Sequence, residues 1–159
     1  MQWWLYAHLA SVFGFLLAHG HSAVMGFRLR REQSAEAIRS LTELSRQTTP
    51  LTYIFLLLII LTGVSLGFQG HWWGRAWIWT ALAVLIVTIG AMGGLARRYY
   101  KLREAAGLAP GPGARPKPGS AASPEAVRDL AASVNPVPIT VIGVVALLVL
   151  LWLMVLKPF

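Results

Sequence analysis

Four apolar stretches, separated by polar segments of unequal length, constrain this chain more than any other feature. They cover approximately residues 3–27, 51–68, 75–95 and 137–156. A hydrocarbon core of about 30 Å is crossed by roughly 20 apolar residues in a helix. In a chain of 159 residues that is 56% hydrophobic, four such helices leave no room for a separate soluble domain. The sequence therefore predicts one all-α domain, an integral membrane four-helix bundle.

Charged residues are concentrated in the two longer segments between these stretches. The longer segments hold all six acidic residues and twelve of the fourteen basic ones, and the other side holds only Arg75 and Lys157. The basic residues are Arg28, Arg30, Arg31, Arg39 and Arg46 in the first segment, and Arg97, Arg98, Lys101, Arg103, Arg115, Lys117 and Arg128 in the second. Because cytoplasmic loops carry the excess of Lys and Arg, we expect both longer segments in the cytoplasm and both termini outside it.

All seven tryptophans fall near the opposite, outer interface. They are Trp3, Trp4, Trp72, Trp73, Trp77, Trp79 and Trp152. Indole rings settle at the headgroup boundary because one edge of the ring is polar and its body is apolar. The tryptophans thus favour the same orientation as the charges.

Composition argues against several function classes. The net charge of +8 does not indicate nucleic-acid binding, because the basic residues flank apolar spans, where topology and anionic lipid account for them. The absence of cysteine excludes disulfides, iron–sulfur clusters and covalently attached haem. No Asp or Glu lies within a span, which argues against ion-coupled transport and a paired-carboxylate hydrolase. No catalytic residue is predicted, and the first span lacks the features of a cleaved signal peptide.

The two longer segments contain a short internal repeat. Residues 34–41 and 123–130 are identical at five of eight positions. Each copy begins with a serine typical of a helix N-cap, Ser34 or Ser123, and has apolar residues at helical spacing. The repeat indicates two helical hairpins of the same orientation, related by internal duplication.

Each copy of the repeat predicts a short amphipathic helix on the cytoplasmic face. The first is expected to bury Ile38, Leu41 and Leu44, and the second span is expected to open after Pro50. Between the third span and the second amphipathic helix, residues 105–123 are rich in Pro, Gly and Ala. This composition predicts a flexible cytoplasmic linker.

Three histidines of the first span, His8, His19 and His21, are the strongest functional candidates. A neutral imidazole needs a polar partner in lipid, so each of these histidines is a candidate functional residue. His8 and His19 share a helix face but lie roughly 16 Å apart along the axis, too far to ligate one iron. Both are predicted haem b ligands, and the alternative is a hydrogen bond to a neighbouring helix, for example to Thr62 or Ser65.

The second axial ligand of such a haem is left open by the sequence. Met92 or Met25 could supply it, as could a partner subunit or a second copy of the first span in a homodimer; a five-coordinate site with His19 alone is also allowed. His19, His21 and Met25 also form a candidate copper(I) site, since that ion favours imidazole and thioether ligands. The fourth histidine, His71, lies in the outer link and is expected to be solvated.

Small residues predict close helix packing. Gly63 and Gly67 in the second span, and Gly90 and Gly94 in the third, form small-xxx-small motifs that are expected to pack within the bundle. The small residues beside the histidines of the first span are Ala7, Ser11, Gly14 and Ala18.

Two runs of sequence carry a family resemblance. The first comprises His8-Leu9, Phe15-Leu16-Leu17-Ala18-His19-Gly20 and Phe27-Arg28-Leu29-Arg30-Arg31-Glu32, and the second is Gly70-His71-Trp72-Trp73-Gly74-Arg75-Ala76-Trp77-Ile78-Trp79. In these runs the chain resembles small bacterial four-span proteins of the CopD-like superfamily, which includes copper-resistance proteins and haem-binding relatives of a protoporphyrinogen oxidase. The resemblance implies a first-span histidine, His8 or His19, as haem or metal ligand. The chain departs from those relatives in having no histidine in spans two to four.

The favoured hypothesis is a multi-pass protein of the bacterial inner membrane that binds b-type haem through the first span and serves electron transfer or redox sensing. A non-catalytic accessory subunit of a larger membrane complex is the alternative from a different class, and a copper-handling membrane protein is the third. The expected partners are the lipid bilayer and either further copies of this chain or the subunits of a larger complex.

Overall fold

The computed structural model describes residues 1–111, 113–116, 119 and 121–158, and these residues form helices and turns without any strand. Their α-helices are α1 Gln2–Arg31, α2 Ala35–Gln69, α3 Ala76–Ala105, α4 Pro124–Ser133 and α5 Pro136–Leu156. A 3-10 turn, Trp72–Gly74, lies between α2 and α3. Four helical segments are long and apolar enough to cross a membrane. The predicted all-α fold with four spans is confirmed.

The helices form two pairs. α1 packs mainly against α2, and α3 packs mainly against α5, as the predicted helical hairpins require. Over the described residues, α1 and α3 bring no Cα atoms within 8 Å of each other, and α1 meets α5 only locally. We call the end where residues 32–34 and 106–123 connect the helices the loop end. The opposite end, which carries the link of residues 70–75, is the tryptophan end.

A buried apolar cluster at the loop end joins the two pairs. Its members come from α1, α2, α3, α4 and the turn after α4, and they are Leu29, Ile38, Leu102, Ala105, Val127, Ala131 and Val134. Ile38, Leu102 and Ala131 are fully buried. Full burial of a large aliphatic side chain stabilises a fold by about 1.5–3 kcal/mol. This loop-end core is therefore a main attachment between the α1–α2 pair and the α3–α5 pair.

The predicted linker is anchored at its base. The N–H of Ala122 donates to the carbonyl of Ala105 at 2.8 Å, and Ala106 and Ala109 are buried. The residues of the linker that lie outside the described part of the chain are Pro112, Lys117, Pro118 and Ser120, and Phe159 lies outside it too. The flexibility of the linker stays a prediction.

Both predicted N-caps are present, but the first amphipathic segment is not a separate helix. Ser34 Oγ accepts from the N–H of Ala37, and Ser123 Oγ accepts from the N–H of Ala126, each at 3.3 Å. The second segment forms the separate helix α4. The first continues through Pro50 into the span, so that α2 is one uninterrupted helix.

Polar side chains gather around Pro50, where α2 continues without a break. Proline removes one backbone donor from a helix. In the preceding turn, the hydroxyls of Thr48 and Thr49 donate to the carbonyl of Ser45 at 3.1 and 2.8 Å. Arg103 of α3 donates to Thr49 Oγ1 at 2.8 Å and to Ser45 Oγ at 3.4 Å. Burial lowers the pKa of this guanidinium from its ordinary value, and the hydroxyls compensate for part of its lost hydration.

Glycines set the close approach of α1, α2 and the link. The ring of Phe55 lies against the backbone of Gly14, and a Cβ on Gly67 would meet the Trp73 ring at 2.9 Å. The predicted packing role is thus confirmed for these two glycines. It is wrong for Gly90 and Gly94, because no described atom lies within 4 Å of a Cβ built on either. α3 turns this face away from the other helices of the chain.

Replacing Gly14 with alanine is expected to lower the melting temperature of the purified protein, because the added methyl group would meet the Phe55 ring. Overpacking of this kind costs about 1–3 kcal/mol. Gly20→Ala is the matched control in the same helix, since no described atom lies within 4 Å of its Cβ position. Equal melting temperatures for the two variants, followed by circular dichroism in detergent, would contradict the described packing of α1 on α2.

Candidate functional site

His8 is held by a hydrogen bond between α1 and α2. The residue is only 5% exposed, and its Nδ1 lies 2.8 Å from Thr62 Oγ1. Thr62 donates its single hydroxyl proton to the carbonyl of Leu58 at 2.6 Å. The imidazole must then donate its Nδ1 proton to Thr62, which leaves the lone pair on Nε2. The hydrogen bond to Thr62 that the sequence offered as the alternative for His8 is confirmed.

The His8 ring packs against α2 at Gly63. A Cβ at Gly63 would lie 3.4 Å from Cε1 of the imidazole, so the ring rests close to the helix backbone. The hydrogen bond and the close packing repay part of the desolvation of this imidazole, and they join α1 to α2. Because Nε2 keeps its lone pair, the role of His8 as a haem ligand stays a prediction.

His19 has a different environment, although it shares the same helix face. Its ring stacks on Phe15, one turn earlier, with centroids 5.4 Å apart and planes inclined by 5°. Its Nε2 points to α5 and lies 3.5 Å from the position that a Cβ on Gly143 would take. The ring is thus oriented by Phe15, and its outer nitrogen faces the second helix pair.

Met92 of α3 reaches the same point from the other side. Its Cε lies 3.0 Å from the Cβ position of Gly143. Three helices therefore converge here, α1 with an imidazole nitrogen, α3 with the methyl end of Met92 and α5 with a glycine. The sequence named His19 and Met92 as candidate ligands, and in the structure both side chains approach Gly143.

His21 and Met25 are not brought to this point. α1 is one uninterrupted helix, so His21 projects about 160° away from His19, whereas Met25 shares the side of His21. Nε2 of His21 is buried without a hydrogen-bond partner in the described structure, and Met25 is 7% exposed. A single copper ion held by His19, His21 and Met25 together is not supported by this geometry. The described residues also contain no group of three His, Cys, Asp or Glu side chains placed to hold a metal.

Two residues of the site were not found from the sequence. Gly143 was not singled out, although a lone glycine within a helix of large apolar residues is the signal that would have indicated it. Phe15 stood in a run that carries the family resemblance, without a role of its own. Its stacking follows from the four-residue spacing to His19, which places both rings on one side of the helix.

The charged groups of the loop end form a separate network. Arg46 donates to Glu43 through two nitrogens at 2.8 and 2.6 Å, and these bonds lower the pKa of the Glu43 carboxyl. Glu43 lies eight residues before the second apolar stretch, and His19 lies within the first. These charged groups thus lie outside the apolar stretch that holds His19.

Comparison of the chain with protein-family models, with curated proteins and with solved structures found no match. The resemblance to the CopD-like superfamily therefore stays a prediction.

Thr62→Val is expected to destabilise the protein by about 1 kcal/mol, because it leaves the buried Nδ1–H of His8 without an acceptor. Thr80→Val is the matched control, since the exposed Thr80 hydroxyl bonds only to the carbonyl of Ala76 in its own helix. The free energy of unfolding in mixed micelles is the measurement.

The same Thr62→Val change in a His8→Phe background separates the hydrogen bond from other effects. In the His8→Phe background, Thr62→Val should lower the free energy of unfolding by no more than Thr80→Val does. An equal cost of Thr62→Val in both backgrounds would contradict the assigned bond.

Proposed function

We propose that this protein binds haem b between its two helix pairs, where His19 and Met92 would hold it, and that it serves electron transfer or redox sensing in the membrane. The observation that carries the proposal is the meeting of His19 Nε2 and Met92 beside Gly143. Imidazole with thioether is an axial pair that haem proteins use, and it favours the reduced iron.

The chemistry of the two donors supports the proposal. The absence of a Cβ at Gly143 lets the His19 and Met92 side chains approach α5 closely, and α1 and α3 are far enough apart that only side chains cross between them. Phe15 fixes the plane of the His19 ring. When bound, the haem supplies one-electron chemistry, and His19 and Met92 hold it in apolar surroundings that exclude water.

Copper(I) is a second candidate for the same two donors. It is favoured by the softness of the thioether and by the approach of both side chains to Gly143, since a single ion needs less room than a macrocycle. The copper set would then be His19 with Met92, rather than His19 with His21 and Met25.

An accessory role in a larger membrane complex is supported by a separate observation. Gly90, Gly93 and Gly94 form a face of α3 that no described part of the chain approaches within 4 Å of their Cβ positions. Small residues of this kind allow another helix to pack closely. This role is compatible with a redox centre and does not replace it.

For localisation we propose the bacterial inner membrane, with the loop end in the cytoplasm and both termini outside. The support is the excess of Lys and Arg at the loop end and the gathering of indole rings at the other end.

Haem binding is tested by titrating the purified protein with haem in detergent. The wild-type protein is expected to show a Soret band at one haem per chain, His19→Ala to lose it, and Met92→Leu to keep the haem with a lower midpoint potential. His71→Ala is the control, since His71 lies at the tryptophan end and should leave the spectrum unchanged.

Two outcomes of this titration would overturn the haem proposal. One is a wild-type protein that stays colourless, and the other is a Soret band that survives unchanged in His19→Ala. Binding of one copper(I) per chain that is lost in both His19→Ala and Met92→Leu, without any Soret band, would instead support the copper site.

The proposed orientation is tested with single cysteines, because the chain contains none of its own. Gly74→Cys at the tryptophan end is expected to react with a membrane-impermeant maleimide in intact spheroplasts. Ser40→Cys, exposed at the loop end, should react only after the membrane is opened. The reverse pattern of labelling would contradict the orientation.

A further inference from the structure

A polar cavity lies at the tryptophan end, far from the His19 site. Its volume is about 490 Å³, and its lining residues are Gly70, His71, Trp72, Arg75, Trp77 and Lys157. Nζ of Lys157 lies 4.1 Å from the centroid of the Trp72 ring and 5.8 Å from that of Trp77. The ammonium group thus rests on two indole faces while Arg75 faces the same cavity.

These two cations have no side-chain carboxylate on their side of the bundle. The acidic residues of the chain are Glu32, Glu36, Glu43, Glu104, Glu125 and Asp129, and all belong to the segments of the loop end. Glu104 is separated from Arg75 by nearly the whole of α3, roughly 40 Å at 1.5 Å per residue. The positive charge of the cavity is therefore uncompensated by acidic side chains of the chain itself.

The backbone at this cavity is also unusual. The residues other than glycine that have a positive φ in the described chain are His71, at 53°, and Lys157, at 45°. Both line the cavity. Left-handed backbone at such residues is strained, and it persists where the surrounding structure holds it, often at ligand sites.

We propose that this cavity binds the phosphate group of an anionic phospholipid, with Arg75 and Lys157 as its ligands. The guanidinium of Arg75 matches the paired oxygens of a phosphodiester, and the Lys157 ammonium adds a second charge. Trp72 and Trp77 place the cavity at the depth of the lipid headgroups, which favours a lipid over a soluble anion. The proposal does not depend on a centre at His19.

Tryptophan quenching gives a local test, because all seven tryptophans were assigned from the sequence to the end that carries the cavity. The full chain is reconstituted in phosphatidylcholine vesicles that contain a small fraction of a brominated lipid. This lipid is brominated phosphatidylglycerol in one sample and brominated phosphatidylcholine in the other. Bromine quenches indoles only at short range, so the ratio of the two quenching curves gives the relative association of the anionic lipid with this end.

The wild-type protein is expected to prefer brominated phosphatidylglycerol over brominated phosphatidylcholine. The double variant Arg75→Gln, Lys157→Gln should reduce this preference to about that of a neutral surface. The loss is about fivefold for each cation removed. Arg97→Gln with Lys101→Gln is the matched control, since it removes one Arg and one Lys from exposed positions near the loop end and should leave the quenching ratio unchanged. Arg75→Lys keeps the charge and should retain most of the preference.

Two results would overturn the proposal. One is an unchanged quenching ratio in the Arg75→Gln, Lys157→Gln variant whose helix content matches the wild-type protein. The other is relief of the quenching by millimolar inorganic phosphate, which would identify the cavity as a site for a soluble anion rather than for a lipid.

Discussion

Burial of apolar side chains at the loop end is the interaction on which the rest of the structure depends. Within the hydrocarbon core, lipid tails are as apolar as leucine, so helices gain no hydrophobic stabilisation by leaving lipid for one another. At the loop end water is present, and the apolar faces of Leu29, Ile38 and Leu102 are removed from it by packing together with α4. The two helix pairs are thus joined at the loop end, where the hydrophobic effect can act, and they meet again at the tryptophan end, where Ile78 of α3 lies close to Gly67 of α2.

This arrangement explains how a site can exist between pairs that otherwise touch little. The loop-end core fixes the position of α1 relative to α3 and α5, and near it Gly26 of α1 packs close to Tyr99 and Pro136. Further along α1, His19 and Met92 then extend across the gap to Gly143. Weakening the loop-end core should therefore disturb the donors without changing either of them.

His8 and His19 show how one sequence signal leads to two different environments. Both are histidines on one face of the first span, and both carry the same cost of burying an imidazole in lipid. For His8 the cost is offset by Thr62, a partner in the same pair. For His19 the described structure provides an aromatic stack on Phe15 and an outer nitrogen that lies, like the end of Met92, beside Gly143.

Much of the fold was predictable from local rules, and the site only in part. The spans follow from hydropathy, and the N-caps at Ser34 and Ser123 follow from residue type. The continuity of α2 through Pro50 was not predictable, because a proline is equally compatible with the start of a new helix. The position of Gly143 beside His19 and Met92 depends on the packing of α5 against α1 and α3. The residue pattern of a single helix does not predict which other helices it packs against.

The meeting of His19 and Met92 is the central claim, and it can be measured in the resting protein without any cofactor. Solid-state NMR of the reconstituted chain, with ¹⁵N in the histidines and ¹³C in the methionine methyl groups, reports dipolar contacts between the two labels. We predict a contact between His19 Nε2 and the Met92 methyl carbon that disappears in Met92→Leu. A His19 nitrogen that shows no dipolar coupling to any methionine methyl would contradict the account.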